Sequence, residues 1–362
     1  MPGTDLPSEM SAVLLTGHGG PEMLEFRTDV PVPTPKAGDV LIRVGGAGIN
    51  NTDINTRIGW YSKAVSGDTQ SAAGTHTADD DDASWTGRPL IFPRIQGADC
   101  CGEIVAVGPG VPNDRVGQRV MVASLQPAPD AAHQYDAITW GSECDGGFCQ
   151  YAVARSDFAF PVHSDLSDVE LASFPCAYST AENLISRAGC SDNDIVLITG
   201  ASGGVGSAAI QLCKRRGATV IAIASEAKHD QLAPFGANRL LDRNDDPADI
   251  LGPMSVSLVV DLAAGPAFPS LIQCLRRGGR YATAGAIAGP LVELDVRDLY
   301  LKDLSFFGAT AQDRRTMPNL IGYIERGEIR PMVAATYPLS DIAAAQEKFL
   351  SKDFVGKIVL VP

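Results

Sequence analysis

The hydrophobic pattern divides the chain into two textures. Up to about residue 163, short β-branched runs such as SAVLLTGHGG, DVLIRVGGAGIN, GEIVAVGPGV and GQRVMVASL are punctuated by Gly, Pro and Asp, the pattern of strands closed by turns. It predicts a β-rich domain built on a partly open barrel. From Asp194 onward, longer apolar runs alternate with helical periods. DIVLITG and ATVIAIAS read as buried strands on either side of a helix, SAAIQLCKRRG. HDQLAPFGA then reads as a helix, RLLD and SLVVDLAAG as strands, FPSLIQCLRRGG as a helix, and RYATAGA and LSFFGAT as strands. This alternation predicts βαβ units and a parallel sheet covered on both faces. After a helix at TMPNLIGYIERGEI, Ser340 is the expected N-cap of a tail helix, and the β character of the last segment predicts its return to the first domain. The expected domains are 1–163 together with 313–362, and 164–312.

One segment fits neither texture. Residues 62–93, containing SGDTQSAAGTHTADDDDASWTG, are small, polar and acidic and offer little to bury. They read as a solvated surface insertion or as a lid, because long loops in compact domains often carry function.

Composition bounds the possible roles. A chain of 362 residues exceeds the size at which one core usually keeps growing, which favours two domains. Hydrophobic content of 45% and charged content of 20% are those of an ordinary globular protein. A net charge of −14 argues against nucleic acid or anionic membrane as a partner. MPGTDLPSEMSAVLL lacks a basic segment followed by an apolar run, so no secretory signal is expected, and no stretch has the roughly 18 apolar residues of a membrane span. The eight cysteines have no disulfide-framework spacing, which predicts free thiols in a reducing cytoplasm.

The strongest motif is ITGASGGVGSAAIQ, placed after an apolar strand and opening a helix. Its glycines let the backbone approach a pyrophosphate and let the helix pack against the sheet, while N–H groups at the helix start hold the phosphates. Gly200, Ala201, Ser202, Gly203, Gly204, Val205 and Gly206 form this expected dinucleotide loop, with Ala201 where the tightest fingerprint has its first glycine. The next strand ends in AIASEAKHD. A carboxylate there would bind an NAD ribose and repel a 2′-phosphate. Ser225 occupies that position and Lys228 follows, which favours NADP(H), with Arg243 as a second cation and Glu226 as a counterweight. Ala284, Gly285 and Gly308, at later strand ends, are placed with the cofactor.

With this fingerprint come GAGINNTDIN, GADCCGEIVAVGPGV, VGQRV, DGGFCQYAV and FPCAYSTAEN, and in their order and spacing the chain resembles the medium-chain dehydrogenase/reductase superfamily over nearly its whole length. The resemblance implies a Rossmann doubly wound parallel sheet plus a GroES-like β-rich catalytic domain, with the site in the cleft between them. Zinc members carry ligands at three positions that here are Asn50, Ala98 and Cys176, with Asp99 beside Ala98. One thiol and a carboxylate fall short of the three protein ligands a catalytic zinc needs. Cys100 and Cys101 read instead as small apolar residues entering a strand. Asp99 is left as a carboxylate with no metal to hold, expected to pair with a cation or to orient Asn50.

Lacking the ligands, the segments resemble the quinone oxidoreductase and enoyl reductase branches, which implies hydride transfer from NADPH to a quinone or an α,β-unsaturated carbonyl. Tyr61 falls where related enoyl-thioester reductases carry a donor tyrosine, Asn50 could donate its amide to the carbonyl, and Thr52 and Thr180 would flank the nicotinamide. Tyr61 also fits a cleft-capping aromatic, and Asn50 a turn residue bonding its own backbone. The competing functions are an alcohol dehydrogenase, metal-free or with unusual zinc ligands, and a dinucleotide-binding protein or redox sensor without turnover. A homodimer is expected by analogy, with SFFGAT as a candidate edge for pairing.

Overall fold

Apolar residues on alternate positions of Asp39–Gly48 make this strand the centre of the first domain. The computed structural model describes residues 6–69, 83–87 and 89–362. In it, the largest sheet of the first domain runs in the order Ala159–Pro161, Arg119–Val122, Cys101–Val107, Asp39–Gly48, Lys357–Val361, Val333–Pro338, with Tyr151–Arg155 also paired to Asp39–Gly48. A second sheet joins Leu24–Pro31, Glu9–Leu15 and Arg94–Ile95. The tail therefore returns as expected, its last strand pairing antiparallel with Asp39–Gly48 through Val359 to Gly48 and Leu360 to Ala47.

The second domain is a parallel sheet in the order Arg239–Asp242, Thr219–Ala224, Ile195–Ile198, Val256–Asp261, Leu275–Thr283, Ser305–Gly308. Strands that lie on both sides of the first one and run the same way are the doubly wound pattern, and their carboxyl ends share one edge. Val256–Asp261 is buried at every position, as a strand covered on both faces must be.

Three local expectations are corrected. HDQLAPFGA is not one helix: a 3-10 turn Glu226–Lys228 leads into a single turn His229–Leu232 and a second 3-10 turn Ala233–Phe235, because Pro234 cannot continue the ladder. The helix at FPSLIQCLRRGG ends at Cys274, and Leu275 already pairs with Val256 in the sheet. Ser340 does not cap the tail helix; it lies within the 3-10 turn Leu339–Asp341, so Asp341 precedes the helix Ile342–Ser351.

The acidic heart of the 62–93 insertion, residues 70–82, lies outside the described residues. Its flanks are only partly packed, and Ile91 is 75% exposed. Thr69, Ala83 and Ser84 are buried, and the Trp60 indole N–H donates to the Gly67 carbonyl at 3.1 Å. No helix among the described residues is long and apolar enough to cross a membrane.

Candidate active site

The turn between Ile195–Ile198 and the helix Gly204–Arg215 is shaped by its glycines. Gly200 has φ +58°, and a Cβ on Gly206 would stand 2.3 Å from the Gly200 carbonyl oxygen. Only glycine lets turn and helix approach this closely. Gly203 is the extended N-cap and no side chain caps the helix, which leaves first-turn N–H groups for an anion. Ala201 is buried, Val205 is partly buried, and Ser202 Oγ accepts from Lys228 Nζ at 3.3 Å.

The other expected cofactor residues lie along the same edge. Ser225 follows Thr219–Ala224 and precedes the turn that carries Lys228; Arg243 follows Arg239–Asp242; Ala284 and Gly285 follow Leu275–Thr283; Gly308 ends the edge strand. Thr180 sits half-buried on the helix Pro175–Arg187. Asp242 was missed: its Oδ2 accepts the Glu226 N–H at 2.7 Å, so a carboxylate stands next to the Ser225 turn.

The reacting end is built around the helix Asn51–Arg57. Tyr61 and Thr52 are brought together, the phenol donating to Thr52 Oγ1 at 3.0 Å, while the Trp60 ring meets Tyr61 edge-on at 5.8 Å. Burial pushes the Tyr61 phenol up to about 12, so it holds its proton throughout the working range. Asn50 is a different case. Its Nδ2 donates to Asp99 Oδ2 at 2.8 Å and to the Gly48 carbonyl at 3.3 Å. With both amide hydrogens engaged, it has none to give a carbonyl, and the expected donor role of Asn50 is corrected to that of a link in a buried network.

Lys357 stands at the centre of that network, and sequence reasoning missed it. Its ammonium donates to Asp99 Oδ2 at 2.7 Å, Asn50 Oδ1 at 2.5 Å and the Ile49 carbonyl at 2.8 Å. The other Asp99 oxygen accepts the Cys176 N–H at 2.6 Å. The expected pairing of Asp99 with a cation and its orientation of Asn50 are both seen. The available signal for Lys357 was a lysine heading an otherwise apolar strand, VGKIVLV. Asp53 lies alongside, accepting the Asn50 N–H at 2.7 Å and the Ala98 N–H at 3.3 Å. Burial, against the pull of the Asn50 N–H and Lys357, raises its carboxyl to about 7.

These residues do not fit a catalytic zinc. Ala98 has no donor, and both Asp99 oxygens are taken. An ammonium already fills the space between Asn50 and Asp99 and would repel a dication. Among the described residues no group of three or more His, Cys, Asp or Glu side chains could hold a metal ion. Cys100 and Cys101 are fully buried at the start of their strand, their thiols raised well above the usual range by burial.

A glycine-rich turn at the carboxyl edge of a doubly wound sheet, facing a β-rich domain that supplies Thr52 and Tyr61, defines a nicotinamide dinucleotide-binding dehydrogenase. Comparison with known proteins agrees. The family model for the alcohol dehydrogenase GroES-like domain matches residues 36–164, and that for zinc-binding dehydrogenase matches residues 204–326. The chain belongs to the medium-chain dehydrogenase/reductase superfamily. It is 43% identical to a candidate alcohol dehydrogenase from Sinorhizobium meliloti 1021, whose solved structure matches with a TM-score of 0.89 over 99% of this chain and 98% of that one. It is 28% identical to the acryloyl-coenzyme A reductase of Metallosphaera sedula, over 97% of this chain and 99% of the relative. With the quinone oxidoreductase of Sus scrofa it shares 27% identity over 97% and 98%.

Proposed function

We propose that the chain is a zinc-independent, NADPH-dependent oxidoreductase of a reducing cytoplasm that reduces quinones or α,β-unsaturated carbonyls by hydride transfer. The observation that carries this reading is the Lys357 ammonium seated between Asn50 and Asp99, where zinc relatives hold their metal. The quinone oxidoreductase and acryloyl-coenzyme A reductase relatives support the substrate class. The eight cysteines, all free, support the compartment.

The nicotinamide, when bound, supplies the hydride. The uncapped helix start and Lys228 would hold the phosphates of the dinucleotide, and Thr180 would border its nicotinamide end. The Tyr61 phenol holds the Thr52 oxygen as acceptor, which leaves the Thr52 hydroxyl hydrogen free to donate to the substrate oxygen as negative charge develops there. The Lys357 network fixes the backbone at Ile49 and Cys176 and the Asn50 side chain.

A panel of quinones, enals and enoyl thioesters, with NADPH consumption followed optically, tests the reading. Turnover on at least one class is expected, from protein holding well under one zinc per chain and indifferent to chelator. The 43% identity to a candidate alcohol dehydrogenase favours a second reading. Stoichiometric zinc with chelator-sensitive alcohol oxidation would establish that one and sink the first.

Cofactor choice is a separate prediction. Ser225 carries no charge to repel a 2′-phosphate and Lys228 stands within reach of the phosphate turn, whereas Asp242 and Glu226 oppose the anion. NADPH is expected to bind at least about tenfold more tightly than NADH, on the order of 1.4 kcal/mol. Equal dissociation constants would remove Ser225 and Lys228 from the specificity argument.

A further inference from the structure

We propose that Cys190 and Cys213 form a reversible oxidation site, a reactive thiol and its resolving partner, which consumes hydroperoxides and closes to an intrachain disulfide.

The fold brings together two sulfurs that are 23 residues apart in sequence. Cys213 lies in the last turn of the helix Gly204–Arg215 and is fully buried. Cys190 lies just beyond the helix Pro175–Arg187. There Gly189, at φ +63°, takes the left-handed conformation that ends the helix, and the Cys190 N–H donates back to the Ile185 carbonyl at 2.9 Å. This turn sets the Cys190 sulfur 3.9 Å from that of Cys213. Cys190 is half-buried, so solvent reaches it and does not reach Cys213. Closing the gap to a bond of about 2 Å asks for movement in the turn and not in either helix.

Charge favours the same division. Arg280 donates to the carbonyls of Ala188 and Gly189, at 2.7 and 2.8 Å, immediately before Cys190. Arg216 donates to Ser186 Oγ at 2.9 Å from the neighbouring helix end. The carboxylates nearby are Asp194, paired with Arg280, and Glu182, paired with Arg216. The hydrogen bond with Cys213, and then the two guanidiniums against burial and Asp194, hold the Cys190 thiol below its usual range. The same hydrogen bond and burial hold Cys213 well above it. The other thiols are all raised by burial, Cys144 and Cys274 to about 11 and Cys176 to about 12, with Cys100, Cys101 and Cys149 also well above the usual range.

With hydrogen peroxide the chemistry runs in two steps. The Cys190 thiolate attacks one peroxide oxygen; the O–O bond breaks, leaving a sulfenic acid and a hydroxide that takes up a proton to become water. Cys213 then gives up its proton and attacks the sulfenic sulfur; the S–S bond forms, the S–O bond breaks and a second water leaves. Two thiols are oxidised to one disulfide as one peroxide is reduced. A dithiol reductant reverses the change, returning the pair to the free state in which all eight cysteines stand here.

The test is mass spectrometry of the full-length protein under non-reducing conditions after exposure to hydrogen peroxide. Both cysteines fall in the single tryptic segment 188–214, so the disulfide appears as a loss of two hydrogens from that peptide. Cleavage at Asp192 or Asp194 then gives pieces that stay joined until dithiothreitol is added. This segment is expected to oxidise at least about tenfold faster than any other thiol of the chain. Cys190→Ser should abolish the fast oxidation. Cys213→Ala should leave a sulfenic acid on Cys190 that dimedone traps and excess peroxide carries on to the sulfinic acid. A sulfinic acid on wild-type Cys190 without the disulfide would overturn the pairing. Prior oxidation of another cysteine would overturn the site itself, and this wild-type map decides the matter even where a variant fails to fold.

Discussion

Lys357→Met is expected to lose about 3–5 kcal/mol of folding stability, read as a fall in denaturant midpoint. The Lys357 and Asp99 side chains are only 3% and 0% exposed, so removing the ammonium leaves a carboxylate with no route to water. Asp99 would keep the N–H groups of Cys176 and Asn50, which are hydrogen-bond donors without a full charge. The cost comes mainly from the stranded carboxylate, not from lost attraction. The double variant Asp99→Asn/Lys357→Met, which strands no charge, should recover most of the loss in a double-mutant cycle. A single variant as stable as wild type would show that water reaches the pair. The packing speaks against this: a Cβ added at Gly48 would come within 2.5 Å of Asp99 Oδ2 and 3.1 Å of Lys357 Cε. Glycine at position 48 is what allows the pair to close against the strand.

The same network marks how far the sequence could be read. Both sheets, the returning tail and the dinucleotide turn were legible, because each rests on local periodicity or on glycines at fixed spacing. The metal question was legible by position, since Asn50, Ala98 and Cys176 stand where ligands would be. The answer to it was not. Lys357 lies 258 residues from Asp99, and no pattern in a single chain links two such positions. Asn50 was misassigned for the same reason, as its amide looked free until the cation and the carboxylate that engage it were placed. Tyr61 and Thr52 were each singled out by their place in the motif, but their hydrogen bond to one another is seen only in the fold.

Tyr61→Phe is expected to lower kcat by about 100-fold while leaving the dissociation constant for NADPH within about twofold. The phenol donates to Thr52 Oγ1, and the Trp60 ring edge fixes its orientation. Without that donor the Thr52 hydroxyl can turn, and its hydrogen is no longer held toward the substrate oxygen. Little of the effect should reach the fold: one hydrogen bond between neutral groups contributes about 1 kcal/mol, and phenylalanine keeps the ring packing. The cofactor turn lies in the other domain, so a change in cofactor affinity would point to general damage instead. Thr52→Val supplies the control that separates donation through Thr52 from direct donation by the phenol. If the two hydroxyls act in series, Thr52→Val should match Tyr61→Phe and the double variant should be no worse than either, because each single change already breaks the chain. Additive losses would instead place both hydroxyls on the substrate independently. An unchanged kcat in Tyr61→Phe would remove the tyrosine from the reaction and return it to the role of an aromatic closing the cleft.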